Sequence, residues 1–183
     1  GGLAKALERS FVYDDRFSAF RQRRFGRRPI GVSGHRFLAF LQNHDQVGNR
    51  ARGERIAHIA GERRQMVGAG LLFASPFVPM LFQGEEWAAT SPFQYFTSYE
   101  SDEVGEQVRE GRQREFESFG WNPNDIPDPQ AEETFLRSKL AWNELSREPH
   151  RSMRNWYRDL IRLRRSSNEL SDGRMEDVRT RFA

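Results

Sequence analysis

Two short runs of the chain are apolar at nearly every position, and each breaks into polar and acidic residues at its C-terminal end. The first is Phe37-Leu38-Ala39-Phe40-Leu41, running into Gln42-Asn43-His44-Asp45. The second is Val78-Pro79-Met80-Leu81-Phe82, running into Gln83-Gly84-Glu85-Glu86. Unbroken apolar runs of this length predict strands covered on both faces, as in a parallel sheet. Pro79 fits near the start of such a strand, because it has no N–H to give to the ladder. Between the runs, residues 62–74 place Met66, Val67, Leu71, Phe73 and Ala74 on one side of a helix that Ser75-Pro76 ends. Strand, helix and strand together predict a βαβ unit.

A second long helix is predicted after Pro149, a residue suited to a first helical turn. Met153, Trp156, Tyr157, Leu160, Ile161 and Leu163 make its apolar stripe. Between the second strand and this helix the chain makes an excursion over residues 88–148, far longer than an ordinary βα loop. It opens on Phe93, Tyr95, Phe96 and Tyr99, and helices are expected near 103–116 and 132–142. Trp121-Asn122-Pro123 and Ile126-Pro127-Asp128-Pro129 form the turns between them. A long insertion at the C-terminal end of a strand is usually functional in α/β enzymes.

Composition narrows the field. The 37% hydrophobic and 13% aromatic content of the 183 residues excludes a disordered chain. There is no cysteine, so disulfides and thiolate–metal sites are excluded, which fits a reducing, cytoplasmic setting. No apolar run approaches the roughly 20 residues of a membrane span, so no membrane partner is expected. Twenty-seven of the 29 basic residues are arginine, but acidic residues hold the net charge to +3. The cluster Arg21, Arg23, Arg24, Arg27 and Arg28 reads as a solvated loop. An arginine-rich nucleic-acid binder is the competing reading, but no reader motif accompanies the charge, and no nucleic-acid partner is expected.

Candidate chemistry lies at the two strand ends, where α/β enzymes place reacting groups. One strand end alone would be read as Asn43 and Asp45 capping a turn, with His44 making a structural hydrogen bond. Repetition at a second strand end, beside an aromatic loop, favours catalysis. Carboxylates in a water-poor pocket stabilise the oxocarbenium-like transition state of glycosidic cleavage. A neutral imidazole can bond sugar hydroxyls, and aromatic rings can stack on pyranose faces. No dense metal motif such as His-Glu-x-x-His is present, and no metal or cofactor is expected.

Phe40-Leu41-Gln42-Asn43-His44-Asp45 resembles the fourth conserved region of the α-amylase superfamily, at the end of its seventh barrel strand. Pro79 to Trp87 resembles the eighth-strand region, its Gly-x-Glu falling on Gly84 and Glu86. The longer run Gln42 to Arg50 resembles the maltooligosyltrehalose trehalohydrolase branch. So do Pro92 to Thr97, Val108 to Arg112, Phe119-Gly120-Trp121 and Pro127 to Gln130. The resemblance implies an α/β fold that is a partial TIM (β/α)8 barrel, its last two βα units carrying a long helical insertion after the final strand. It implies a retaining hydrolase that cuts the α-1,4 bond beside a terminal trehalose, with a maltooligosyltrehalose or α-glucan substrate. Asp45 would be the catalytic transition-state stabiliser. His44, Asp45, Gln46, Val47, Gly48, Asn49, Glu86, Phe93 and Tyr95 would contact substrate.

The same resemblance places the nucleophilic Asp and the acid/base Glu upstream of Gly1, so both chain ends are expected to be cuts and the chain alone to be inactive. Residues 1–168 would be the C-terminal part of the barrel. Residues 169–183 would be a linker and the first strand of a β domain over Met175 to Phe182. A branching enzyme of the same superfamily and a non-catalytic carbohydrate-binding module are the alternatives. Oligomeric state is left open.

Overall fold

A computed structural model describes residues Gly1–Arg181. Helix α1 (Gly2–Arg9) leads into a ribbon of β1 (Arg16–Ser18) and β2 (Arg23–Phe25), paired antiparallel from Arg16↔Phe25 to Ser18↔Arg23. Next come β3 (Leu38–Ala39), α2 (His44–Gly48), α3 (Ile56–Ala60), α4 (Glu62–Ala74) and β4 (Val78–Pro79). The excursion carries α5 (Asp102–Ser118) and α6 (Glu132–Ser138), followed by α7 (His150–Ser166) and α8 (Asn168–Ser171). The fold is mixed α/β and rich in helix.

β3 and β4 pair in parallel, with Leu38 opposite Val78 and Ala39 opposite Pro79. Val78 N–H donates to Phe37 O at 2.9 Å, and Met80 N–H to Ala39 O at 2.8 Å. Pro79 falls between these two donors, at the register position that owes β3 no N–H. That is how a proline sits inside the pair without breaking it.

The chain forms two compact units. One comprises Gly1–Phe40, Ala69–Met80 and the chain from Asp159 onward. Its core holds Ala69, Leu72, Phe73, Phe77 and Leu160. Arg164 Nη1 donates to Phe73 O and Ser75 O at 2.7 and 2.6 Å, and Nη2 donates to Phe77 O at 2.7 Å. The guanidinium thereby serves one carbonyl in the last turn of α4 and two in the turn that follows it. The second unit comprises Leu41–Gly68 and Leu81–Arg158. It buries Val47, Ala51, Trp87, Phe116, Ile126, Met153 and Tyr157. Full burial of an apolar side chain such as Met153 stabilises by about 1.5–3 kcal/mol.

Several expectations are corrected. The strands are shorter than the apolar runs and are not covered on both faces: Leu38 is 63% exposed, and Phe40 and Val78 are exposed as well. Among the described residues each has one strand neighbour, so outward side chains stay uncovered. Helix α4 has the expected bounds but turns Gln65, Ala69, Leu72 and Phe73 inward, leaving Val67 and Leu71 exposed. On α7, Met153, Tyr157 and Leu160 are buried, whereas Ile161 and Leu163 face solvent. Helix α6 stops at Ser138 rather than 142, and a 3-10 turn over Trp142–Ser146 follows. Part of the arginine cluster is strand, not loop, with Arg24 Nη1 donating to Asp15 O at 2.7 Å. No strand forms over Met175 to Arg181; Met175–Asp177 is a 3-10 turn. Phe182, the last residue of that expected strand, lies outside the described residues.

Candidate active site

The chain leaves β3 through Gln42, whose buried side chain accepts the Ile56 N–H at 2.8 Å. Asn43 then caps α2, its Oδ1 accepting the Gln46 N–H at 2.9 Å. These two bonds hold the first turn of α2, which carries His44 and Asp45 outward. The Asp45 side chain is 73% exposed, and its Oδ1 lies 3.2 Å from His44 Nε2. The turn-cap role considered for this segment falls to Asn43, leaving the Asp45 carboxylate available.

Opposite this turn stands the aromatic segment of the excursion. Asp45, His44, Gly48 and Asn49 line a cleft of about 220 Å³ with Phe93 and Tyr95; Gln94 and Phe96 complete its lining. Phe93 is fixed from below by Gly53: Phe93 N–H donates to Gly53 O at 2.9 Å. Gly53 has φ +69°, and a Cβ there would lie 2.5 Å from the Phe93 carbonyl oxygen. Only glycine permits this approach. The Phe93 ring meets Phe82 and Phe96 edge-on, at centroid separations of 5.0 and 6.0 Å.

Two arginines tie the cleft together. Arg112 of α5 donates from Nη2 to Gly48 O at 2.9 Å and from Nη1 to Asn49 Oδ1 at 3.3 Å. Its guanidinium also covers the Tyr95 ring at 4.2 Å. The buried Arg55 donates from Nη1 to Gln83 O and from Nε to Ser91 O, both at 2.6 Å. It thus joins the turn at Gln83 to the approach of the aromatic segment. Burial lowers the pKa of both guanidinium groups, Arg55 against the pull of Glu86 and Glu85 and Arg112 against that of Glu115. Neither loses its proton on that account.

The second strand end behaves differently. Gly84, at φ +82°, admits Leu140 and Ala89, which a Cβ would meet at 2.7 and 2.9 Å. The turn sends Glu85 inward, to 1% exposure, and leaves Glu86 half-buried near Arg55. Tyr157 Oη donates to Glu85 Oε1 at 3.0 Å, and Gln65 Nε2 donates to Glu85 O at 2.6 Å. Burial pushes the Glu85 carboxyl up to about 7, opposed by hydrogen bonds from Tyr157 and Gln42. Burial and the adjacent Glu85 hold the Tyr157 hydroxyl far above its ordinary range, so it remains a donor.

Of the residues singled out in the sequence, the structure brings His44, Asp45, Gly48, Asn49, Phe93 and Tyr95 together in one cleft. It does not bring Gln46, Val47 or Glu86 into that lining. Val47 is 1% exposed and packs in the core, because on a helix it points away from the face that carries Asp45. Gln94, Phe96, Arg55 and Arg112 escaped the sequence reading as site residues. Gln94, Phe96 and Arg112 fall inside motifs it had noted; Arg55, next to Glu54 and close to Arg50 and Arg52, carried no signal that set it apart from those charged neighbours.

Comparison with known proteins shows what the chain is similar to. No family model matches the chain. A crystal structure of a Salmonella typhimurium protein designated an alpha amylase superposes on it with a TM-score of 0.84. The two are 40% identical, over 92% of this chain and 28% of that one. Curated malto-oligosyltrehalose trehalohydrolases are also similar. The Arthrobacter ramosus protein is 47% identical over 90% of this chain and 29% of its own length. That of Rhizobium sp. is 46% identical over 100% and 31%, and that of Deinococcus radiodurans 39% over 97% and 30%. The class is therefore that of α-amylase-like proteins. Within it, the chain corresponds to a part of the malto-oligosyltrehalose trehalohydrolases. It spans about three-tenths of the length of the curated relatives it matches.

Proposed function

We propose that this chain forms one wall of a retaining glycoside hydrolase site that releases trehalose from the end of maltooligosyltrehalose by cutting the adjacent α-1,4 bond. The observation that carries the reading is the exposed Asp45–His44 pair held across a narrow cleft from Phe93 and Tyr95. An aromatic face there can receive the apolar face of a glucose ring. His44 can bond its hydroxyls, and the Asp45 carboxylate can stabilise positive charge at the anomeric centre as the bond breaks.

Asp45 is the one carboxylate among the residues that line the cleft. Retention requires two further groups across the scissile bond, a nucleophile and an acid/base about 5–5.5 Å apart. In this reading they come from the remainder of a full-length enzyme, in which residues 1–168 belong to a (β/α)8 barrel. That enzyme works in the cytoplasm on α-glucan ends, which suits a chain without cysteine. Among the described residues, no helix is long and apolar enough to cross a membrane.

The test is trehalose release from maltooligosyltrehalose by a full-length enzyme containing this sequence, beside the 183-residue chain. The reading expects release by the former and none by the latter. Release by the chain alone would show that carboxylates within it, Asp45 with Glu85 or Glu86, perform the whole reaction. No release by the full-length enzyme would discard the trehalohydrolase assignment.

A further inference from the structure

The Asp45 cleft is small for its task. At about 220 Å³ it falls below the 300–1,000 Å³ usual for small-ligand sites. Its aromatic wall has a second side. Phe93 and Phe96 also line a neighbouring groove of about 400 Å³ with Phe135, Leu140, Trp142 and Lys139. Trp142 is 66% exposed although one of its sides is held at 5.2 Å by buried Trp87. A large ring braced on one side and left open on the other costs apolar exposure and gains nothing in the core. Phe135 is similarly exposed and meets Phe96 edge-on at 5.2 Å. Polar chemistry accompanies the rings: the Lys139 ammonium lies 4.8 Å from the Phe135 centroid, and the exposed Gln83 adds an amide.

We propose that this groove is a second carbohydrate subsite, which binds the α-1,4-glucan segment of a chain whose reacting bond lies at Asp45. The proposal rests on the α-glucan reading of the Asp45 cleft. Pyranose rings have an apolar C–H face and a girdle of hydroxyls, so they need an open aromatic ring with donors beside it. Trp142 supplies the ring, and Lys139 and Gln83 supply the donors. Because Phe93 and Phe96 belong to both lining sets, one oligosaccharide can follow the aromatic wall from cleft to groove without crossing a polar gap.

The experiment is calorimetric titration of the chain with maltoheptaose, using Trp142→Ala, Phe135→Ala and Trp142→Phe. Trp142→Ala is expected to weaken binding about tenfold, as loss of an aromatic anchor does. Phe135→Ala, at an exposed ring, is expected to weaken it in the same direction. Trp142→Phe keeps an aromatic against Trp87 and should retain most of the affinity, which separates lost stacking from lost folding. Wild-type affinity in Trp142→Ala would overturn the groove while leaving the hydrolase reading intact. So would a wild-type chain that binds no maltoheptaose but self-associates through Trp142. The hydrolase reading itself stands or falls on trehalose release.

Discussion

Arg112 donates from Nη2 to the Gly48 carbonyl at 2.9 Å, so a side chain 64 residues away closes the C-terminal end of the helix that carries Asp45. The same guanidinium covers Tyr95, fixing the two sides of the cleft relative to each other. The site is therefore assembled by the excursion, not by the strand end alone.

Replacing Arg112 tests that assembly. Arg112→Ala should destabilise the unit by about 2 kcal/mol, the usual worth of a hydrogen bond to a charged group. Amide exchange at Asn49 and Arg50, which close α2 on Asp45 O and Val47 O, should quicken. Arg112→Lys should rescue little, because a single ammonium cannot serve Gly48 O, Asn49 Oδ1 and the Tyr95 face together. Urea denaturation and hydrogen exchange check this, and an Arg112→Ala chain as stable and as protected as wild type would count against it.

Asp45→Asn, made in a full-length enzyme, should lower kcat by roughly a thousandfold with a smaller change in KM, as for other groups that act on transition-state charge. Thermal stability should not move, because the Asp45 side chain is 73% exposed and its ion pair is with the equally exposed His44. Steady-state kinetics and a thermal melt decide it. An unchanged kcat would reduce Asp45 to a surface residue.

Gly53→Ala should cost about 2–3 kcal/mol, from the positive φ and the closeness of the Phe93 carbonyl together. The near-ultraviolet circular dichroism of the aromatic wall should change at the same time, since Phe93 must shift. Denaturation midpoints give the first quantity. A melt indistinguishable from wild type would mean that the segment relaxes without cost.

Glu85 ties stability to pH. Its folded-state pKa, about 7, is above the ordinary value of 4.5, so between these pH values the folded chain holds a proton that the unfolded chain has released. Stability from this group is fully present below about pH 4.5, falls as pH rises to about 7 and is flat beyond. The size of the shift corresponds to an effect on the order of 3 kcal/mol. Glu85→Gln, which can still accept from Tyr157, should erase that slope and be more stable than wild type at pH 8. Urea midpoints of both proteins at pH 5 and pH 8 measure it; parallel pH dependences would show that Glu85 is ionised in the fold throughout.

Much of the framework was legible in the sequence. The parallel pairing of 37–41 with 78–82 followed from apolar continuity, though the hydrogen-bonded strands are shorter. The bounds of α4 followed from the Ser75-Pro76 stop, and α5 from the helical pattern after Tyr99. Less was legible about faces. Val67 and Leu71 are as apolar as Leu72, yet they are exposed, and Gln65 is buried because its amide meets Glu85 O and Tyr157. Hydrophobicity alone does not rank positions on a helix that also buries a polar network.

By itself the sequence determined what depends on neighbours along the chain: the helix stops, the proline-tolerant strand start, the Asn43 cap and the place of Asp45 just beyond an apolar run. Tertiary structure alone decided which of those residues meet. Arg112 reaches Gly48, Arg55 joins Gln83 to Ser91, and Gly53 supports Phe93. The physical reason is that local rules act through backbone geometry repeated every two or 3.6 residues. Contacts across tens of residues depend instead on how side chains fill space and satisfy one another's hydrogen bonds, and no short spacing in the chain encodes that.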